Sequence, residues 1–434
     1  MKFKATIAGL STLAVIQLAQ ASNTYIVNQN GNNNTAMGDQ SDPTVTNNLI
    51  MQTQNGDNNT AEAEQIINSN NSVISHTQIG DGNLAIASQE NSTNTTYSVI
   101  QIGNNNEVDS SMLNDTASTN FIFQSGELNF TSTNNFNSMS NITNVIQIGT
   151  DNETFTAHAF NSSNNSILVN QSGSQNTSSP GASFDAENNS IVILQDGSLN
   201  NGGVGQVSGS QFMTSTVIQS GDDNLGGASN LNSSFGSTFS NQVGSLNLGS
   251  SSQIDSTQSH TFIQQTGTDN LGSISINSSD NVSASFTQIG DQNIVGGAGH
   301  SSSSNGTVEV TQIGIANEAI AFQIMSDLGV LTLFQNGEQN MALAGQTGIS
   351  NILLGVQTGI QNVLSIIQDG DSISADTNQS GTLNEIDLDQ TGMSSVATLT
   401  QNGNNNFLQA MQANPSASST VTQFGENNSG NIMQ

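Results

Sequence analysis

A six-residue motif, Gln-x-Gly-x-x-Asn, recurs along almost the whole chain at a nearly fixed step. Its first copies are Gln29/Gly31/Asn34, Gln54/Gly56/Asn59, Gln78/Gly80/Asn83 and Gln101/Gly103/Asn106. The motif glutamine returns at Gln124, Gln147, Gln171, Gln195, Gln219, Gln242, Gln265, Gln288, Gln312 and Gln335. From Gln335 the step halves, through Gln346, Gln357, Gln368, Gln379, Gln390 and Gln401, and a last full step reaches Gln423. A repeat of this regularity dictates a repeating architecture before any other argument.

A unit of about 22–25 residues is too short for a helical-repeat unit and suits one rung of a β-solenoid, with two strands and two turns. The halving of the step says that a rung consists of two equivalent strand-plus-turn halves. In the earlier region only one half carries the motif; in the later region both do. The expected fold is therefore all-β, a cross-β stack of about 17–18 rungs with two strands each, spanning 22–434 as one continuous elongated domain. Long-period repeats occupy 22–334 and half-repeats 335–434.

Alternation within the unit supports strands. Val99, Ile122, Val145, Val169, Ile193, Val217, Ile263, Phe286, Val310 and Leu333 each stand two before a motif glutamine. Seven and nine after it come small residues, such as Ala36, Ala61/Ala63, Ala85/Ala87, Ala319/Ala321 and Ala342/Ala344. Large residues on one strand facing small ones on the other fill a thin core. The motif glutamine shares the inward phase. An unpaired buried amide costs roughly 1–3 kcal/mol, but identical amides stacked at about 4.8 Å can bond to the copies above and below. The candidate ladder positions are Gln29/Asn34, Gln54/Asn59, Gln78/Asn83, Gln101/Asn106, Gln147/Asn152, Gln288/Asn293, Gln312/Asn317, Gln335/Asn340, Gln401/Asn406 and Gln423/Asn428. A second glutamine eleven positions on (Gln40, Gln65, Gln89, Gln206, Gln253, Gln323, Gln412) would be the equivalent on the other strand.

Glycines Gly31, Gly56, Gly80, Gly103, Gly149, Gly290, Gly314, Gly337, Gly403 and Gly425 fall where the first strand ends, and glycine there permits positive φ. The asparagine three positions on tolerates left-handed geometry and can bond to the turn backbone. The extra residues of the longer rungs fit the second turn. Pro43 and Pro415 fall in that turn, whereas Pro180 falls inside the second strand.

Lys2 and Lys4, the apolar run Ala5 to Leu18 and Ala19-Gln20-Ala21 make residues 1–21 a secretion signal peptide. Those lysines are the only Lys or Arg in the chain, so a mature chain from Ser22 has no base against 33 acids, a formal charge of −33. Nucleic acid is excluded as an electrostatic partner, and no later stretch is long and apolar enough to insert in a membrane. With no Cys there is no disulfide framework. Composition alone suggests disorder. The periodic apolar phase argues for order, and a monomer that orders only on templated stacking is the second reading this composition allows.

The units resemble curlin repeats, the building blocks of curli-type amyloid fibres, whose pattern continues Gln-x-Gly-x-x-Asn-x-Ala-x3-Gln. Gln54 to Gln65 match it, as do Gln29 to Gln40, Gln78 to Gln89 and Gln335 to Gln346. The resemblance covers roughly 25–434 in nineteen full motif copies, with Gln368 and Gln390 heading two that lack the asparagine. It implies a secreted subunit that polymerises with itself into an extracellular fibre on the bacterial surface. Partners would include a nucleator subunit and an outer-membrane export pore, and the Gln and Asn positions would stabilise the stack. Two departures stand out: the first repeat follows the leader with no Gly/Asn-rich export segment, and the array is unusually long. The stretch Gln423 to Gln434 lacks the basic residues of the family's nucleators.

No enzyme is expected. Polysaccharide lyases on β-helices need Arg or Lys for the proton or the acidic sugar, and His76, His158, His260 and His300 share no metal-binding phase. No cofactor is expected. Weak calcium binding by Gly-Asp-x-Asn turns is outweighed by the solvated-turn reading. The rival to a fibre subunit is a non-polymerising surface adhesin or stalk with capped ends.

Overall fold

The computed structural model describes residues 22–434, together with the backbone of two short strands, Phe3–Thr6 and Thr12–Gln17. The rest of 1–21, the expected secretion signal, lies outside the described residues. The described chain is all-β, with no helix among the described residues, and folds as a β-solenoid with two strands per rung. It divides into two compact units, Met1–Asp222 and Asp223–Gln434.

In the first unit the motif strands run from Thr24–Asn30 to Thr214–Asp222 and pair parallel, in register, to form a first sheet. The return strands, Thr35–Asp39 to Asn201–Val207, form a second sheet in the same way. Register places each motif glutamine over the next, as in Gln29↔Gln54 and Gln124↔Gln147. The second unit repeats this with first-sheet strands from Ser237–Ser245 to Ser418–Glu426 and second-sheet strands from Leu225–Leu231 to Ser429–Met433. Its later rungs are shorter, as in Gln335↔Gln357.

The period of two sets the core. Positions two before the motif glutamine, Val99, Ile122, Val145, Ile193, Ile263, Phe286 and Val310 among them, are fully buried. Small residues face the large ones: a Cβ on Gly272 would lie 2.3 Å from the Phe286 ring, and one on Gly38 2.7 Å from the Tyr25 ring. In the second unit the apolar interior is continuous from Ile263 to Ala410. In the first unit it is interrupted by a polar stretch in which Asn120, Thr131, Thr133, Asn135, Thr143, Thr154, Thr156 and His158 are all buried.

The extra residues of the long rungs lie in the second turn. There they add a third column of single parallel bridges, from Thr46↔Asn70 to Glu187↔Gln211 in the first unit and from Ser234↔Thr257 to Ser304↔Asp327 in the second. The column stops where the period shortens. Pro43 and Pro415 occupy that turn. Pro180 sits inside the strand Thr177–Ser183, and pairing with Glu153–Ala159 skips Phe155 and Thr156 before resuming at Ala157↔Gly181. Proline has no N–H to give the ladder.

Candidate functional site

The motif strands carry the glutamine side chains inward, where each amide makes the same bonds. Gln54 Nε2 donates to Gln78 Oε1 (2.8 Å) and, with its other hydrogen, to the Thr35 carbonyl of the preceding rung (2.9 Å). The chain of amides runs from Gln29 through Gln54, Gln78, Gln101, Gln124, Gln147, Gln171 and Gln195 to Gln219, at 2.7 to 2.9 Å. In the second unit it runs from Gln242 through Gln265, Gln288, Gln312, Gln335, Gln357, Gln379 and Gln401 to Gln423, at 2.8 to 3.1 Å. Each amide therefore joins neighbouring rungs along the stack and the two sheets across it. All donors point the same way along each unit, so dipoles align and reinforce one another.

The turn glycines take φ from 103° at Gly425 to 148° at Gly370, including 117° at Gly31, 129° at Gly56, 118° at Gly290 and 133° at Gly403. Space enforces glycine as well. A Cβ on Gly149 would lie 1.9 Å from the Gly173 carbonyl oxygen, and a Cβ on Gly80 2.1 Å from that of Gly103.

The motif asparagines close the turns. Asn59 Nδ2 donates to the Gly80 carbonyl (2.7 Å), while Asn34 Oδ1 accepts from the Asn59 backbone N–H (2.9 Å). The same pattern holds at Asn83, Asn106 and Asn152, and at Asn293, Asn317, Asn340 and Asn406, each donating to the glycine carbonyl of the next rung at 2.8 to 3.0 Å. Asn428 keeps one side of the ladder. Unlike the other motif asparagines it is only half-buried. Its N–H and Nδ2 donate back to Asn406 Oδ1 (3.0 and 2.7 Å), and its Nδ2 also donates to the Phe424 carbonyl of its own turn (2.9 Å), a bond that Asn176, Asn317 and Asn384 make as well. Among the described residues no next-rung glycine carbonyl stands over Asn428, so along the stack it is bonded on one side alone.

The left-handed residue is not the motif asparagine but the one before it: Asn33 (φ 55°), Asn58 (59°), Asn105 (54°), Asp151 (58°) and Asn427 (57°). The motif asparagine needs an inward side chain, and the chain reverses one residue earlier to point it there.

The second-sheet glutamines do not form one chain. Gln40, Gln65 and Gln89 are bonded in sequence (2.6 and 2.8 Å), but Gln89 Nε2 then meets Met112 Sδ at 3.9 Å. The equivalent positions become Asn135, His158 and Ala182 before Gln206. The chain is unbroken again from Gln323 through Gln346, Gln368, Gln390 and Gln412 to Gln434.

An asparagine column in the second turn escapes a search for the motif. Asn48 Nδ2 donates to the Ser69 carbonyl (2.7 Å), its Oδ1 accepts from the Ser72 N–H (2.8 Å), and Asn141, Asn165 and Asn189 continue the theme. Extra turn residues place Asn48 eight after Gln40 instead of five, which hides the kinship.

Titratable groups lie inside the first unit. Asp115 stands in a column of buried serines and accepts from Ser118 Oγ (2.8 Å), Ser138 Oγ (3.1 Å) and Asn135 Nδ2 (3.2 Å). Burial raises its pKa against the pull of those bonds. His76, both of whose ring nitrogens lack a partner, and His158, whose Nε2 lies 3.0 Å from Thr143 Oγ1, are driven by burial down to about 3. Among the described residues no group of three His, Asp or Glu could hold a metal ion, and no helix is long and apolar enough to cross a membrane.

The terminal rungs leave these networks incomplete. Gln29 Oε1 is buried with no partner. Gln423 Nε2 donates to the Phe407 carbonyl (3.1 Å) and has no following glutamine. The strand Ser418–Glu426 is paired with Val396–Asn404 on one side. At the other terminus the edge of Thr24–Asn30 is covered by the strand Thr12–Gln17, and that of Thr35–Asp39 by Phe3–Thr6, both antiparallel. Compared with known proteins, the chain matches no family model and no curated protein.

Proposed function

We propose that the chain is a secreted structural subunit that polymerises end to end into curli-like extracellular fibres of a biofilm matrix, supporting adhesion. The observation that carries this reading is the valence left at the terminal rungs. Gln29 offers an acceptor, Oε1, with no donor, and Gln423 offers an amide hydrogen with no following Oε1. A second copy placed one rung beyond Ser418–Glu426 meets both needs with the bond already repeated between rungs inside each unit. It also supplies Asn428 with the glycine carbonyl that every earlier motif asparagine bonds. Unpaired strand edges are templates for further strands, and parallel in-register stacking of like side chains is the arrangement of cross-β fibres.

The leader strands add a control to this reading. Antiparallel strands on the Thr24–Asn30 and Thr35–Asp39 edges occupy the surface a second copy needs, so cleavage after Ala21 frees it outside the cell. A nucleator subunit and an outer-membrane export pore would then act as partners.

The test is to incubate purified Ser22–Gln434 and follow amyloid-dye binding with and without preformed seeds. Seeded growth without a lag is expected. Soluble particles that never seed would overturn the reading in favour of a capped adhesin or stalk.

A further inference from the structure

We infer that the outer face of the first sheet in Met1–Asp222 is a lateral docking surface for the same face of a second copy. Charge distribution points to it. In seven consecutive motif strands, from Thr24–Asn30 to Ser166–Ser174, no outward position ahead of the turn glycine is acidic or basic. The first acid on this face is Asp196, in the eighth strand. The second sheet is the reverse: Asp39, Glu62, Glu64, Glu90, Glu107, Asp109 and Glu153 stand at outward positions in its first six strands.

Apolar side chains cluster on the uncharged face among Ser, Thr and Asn. Ile100, Phe123 and Ile146 stand in one column on three successive rungs, Ile102 and Ile148 flank Ser125 in the next, and Phe121 lies between Ser98 and Asn144. Ile102 is 38% exposed and Ile148 48%. Ser, Thr and Asn, with Thr77, Asn144 and Asn170 among them, take the remaining outward positions of the seven strands, about half of the face, and the acids Asp57, Asp81 and Asp151 stand at its turn rim. A contiguous apolar patch of this kind with a polar rim marks an interaction site.

The occupant follows from size and charge. Seven rungs at about 4.8 Å by four outward residues at about 6.8 Å give an uncharged face of about 34 by 20 Å. That is about 700 Å² on each copy and about 1,400 Å² for a pair, within the range of stable interfaces. A chain with 33 acids and no mature Lys or Arg repels its own copies through most of its surface. Pairing through this face puts the second-sheet acids behind a sheet spacing of about 10 Å, beyond a Debye length of about 8 Å at physiological salt. Charge-free at its outward strand positions, the surface fits another copy through a two-fold contact, and sheet-on-sheet packing interdigitates the Ile and Phe side chains. In a fibre this contact joins filaments side by side. It uses none of the terminal-rung groups.

The test uses charge reversal in the secreted chain. Phe123→Glu/Ile146→Glu and Phe123→Lys/Ile146→Lys variants are compared by sedimentation when freshly purified, and by electron microscopy of any fibres formed. The wild-type chain is expected to pair with itself, and its fibres to lie two or more abreast. Each variant alone should pair at least tenfold more weakly and give single filaments. An equimolar mixture of the two should restore pairing, which misfolded variants would not do. A Phe130→Glu/Phe155→Glu control on the second sheet should pair as the wild type. Wild-type chains that stay unpaired, pairing that survives the Glu variant, a mixture without recovery, or a control as weak as the Glu variant would each overturn the inference. Unpaired filaments that still seed would sink the lateral contact alone, and paired chains that never elongate would sink the end-to-end reading alone.

Discussion

A buried primary amide has two donors and an acceptor to satisfy, and isolation in an apolar interior is what makes it expensive. Here Gln101 gives one hydrogen to Gln124 Oε1 and one to the Leu84 carbonyl, and its oxygen accepts from Gln78. Gln101→Ala leaves a donor and an acceptor on its neighbours unpaired and opens a cavity, a loss of about 2–4 kcal/mol. Seeded elongation, followed by dye binding, should slow at least tenfold, whereas Ile102→Ala, one residue on and facing out, should change it less than threefold. Equal effects would discredit the amide's role in growth. The buried histidines predict a pH dependence of known sign. His76 and His158 titrate near 3 when folded and near 6.5 when unfolded, so the unfolded chain takes up their protons first as pH falls. Stability therefore drops below pH 6.5 by up to about 1.4 kcal/mol per pH unit for each histidine. Asp115, held above the usual carboxylate range, acts with the opposite sign: its contribution is present at low pH and lost as pH rises through its folded value. A His76→Gln/His158→Gln variant should lose less of its urea midpoint between pH 7 and pH 5 than the wild type. An unchanged midpoint shift would contradict the burial of those rings.

At the scale of the strand and turn, Pro180 is the clearest local fault. It faces inward in Thr177–Ser183 and interrupts the register with Phe155 and Thr156, and Thr156 Oγ1 is left without a partner. Pro180→Val restores a backbone donor and should raise thermal stability by about 1 kcal/mol. A destabilised variant would show that the interruption is required by its surroundings. This fault was legible in the sequence because the repeat assigns every residue a phase, and a proline in the wrong phase is conspicuous. So were the strands, since the apolar residue two before most motif glutamines and the alanine seven after several of them can alternate only in a period of two. The left-handed residue before each motif asparagine was not legible: Asn33, Leu128 and Gln175 share no chemistry, and the backbone alone selects the position. Nor was the one-sided bonding of Asn428, because its motif is identical to the others and only its place in the stack sets it apart. The broken second amide chain was hidden too, since Met112, Asn135, His158 and Ala182 replace glutamine with residues that no spacing rule groups. The split of each glutamine's two hydrogens between a neighbour and the opposite sheet needs coordinates, since alternation gives a side chain's direction but not its partners.

Across the whole molecule, two properties come from one device. In-register repetition makes each rung a template for the next, and it also extends the outward columns into faces of uniform chemistry. In the first unit one face is free of charge for seven strands while the other gathers acids, a division visible only when residues one full repeat apart are placed side by side. The short strands Phe3–Thr6 and Thr12–Gln17 lie antiparallel across the edges of Thr35–Asp39 and Thr24–Asn30, the edges that the proposed end-to-end stacking would use. The measurement that bears most directly on the account is fibre diffraction from aligned, assembled Ser22–Gln434. Amide stacked on amide along the growth direction predicts a sharp meridional reflection at about 4.7–4.8 Å, with an equatorial one near about 10 Å. Aligned fibres with no meridional reflection at that spacing, or with it on the equator, would contradict it.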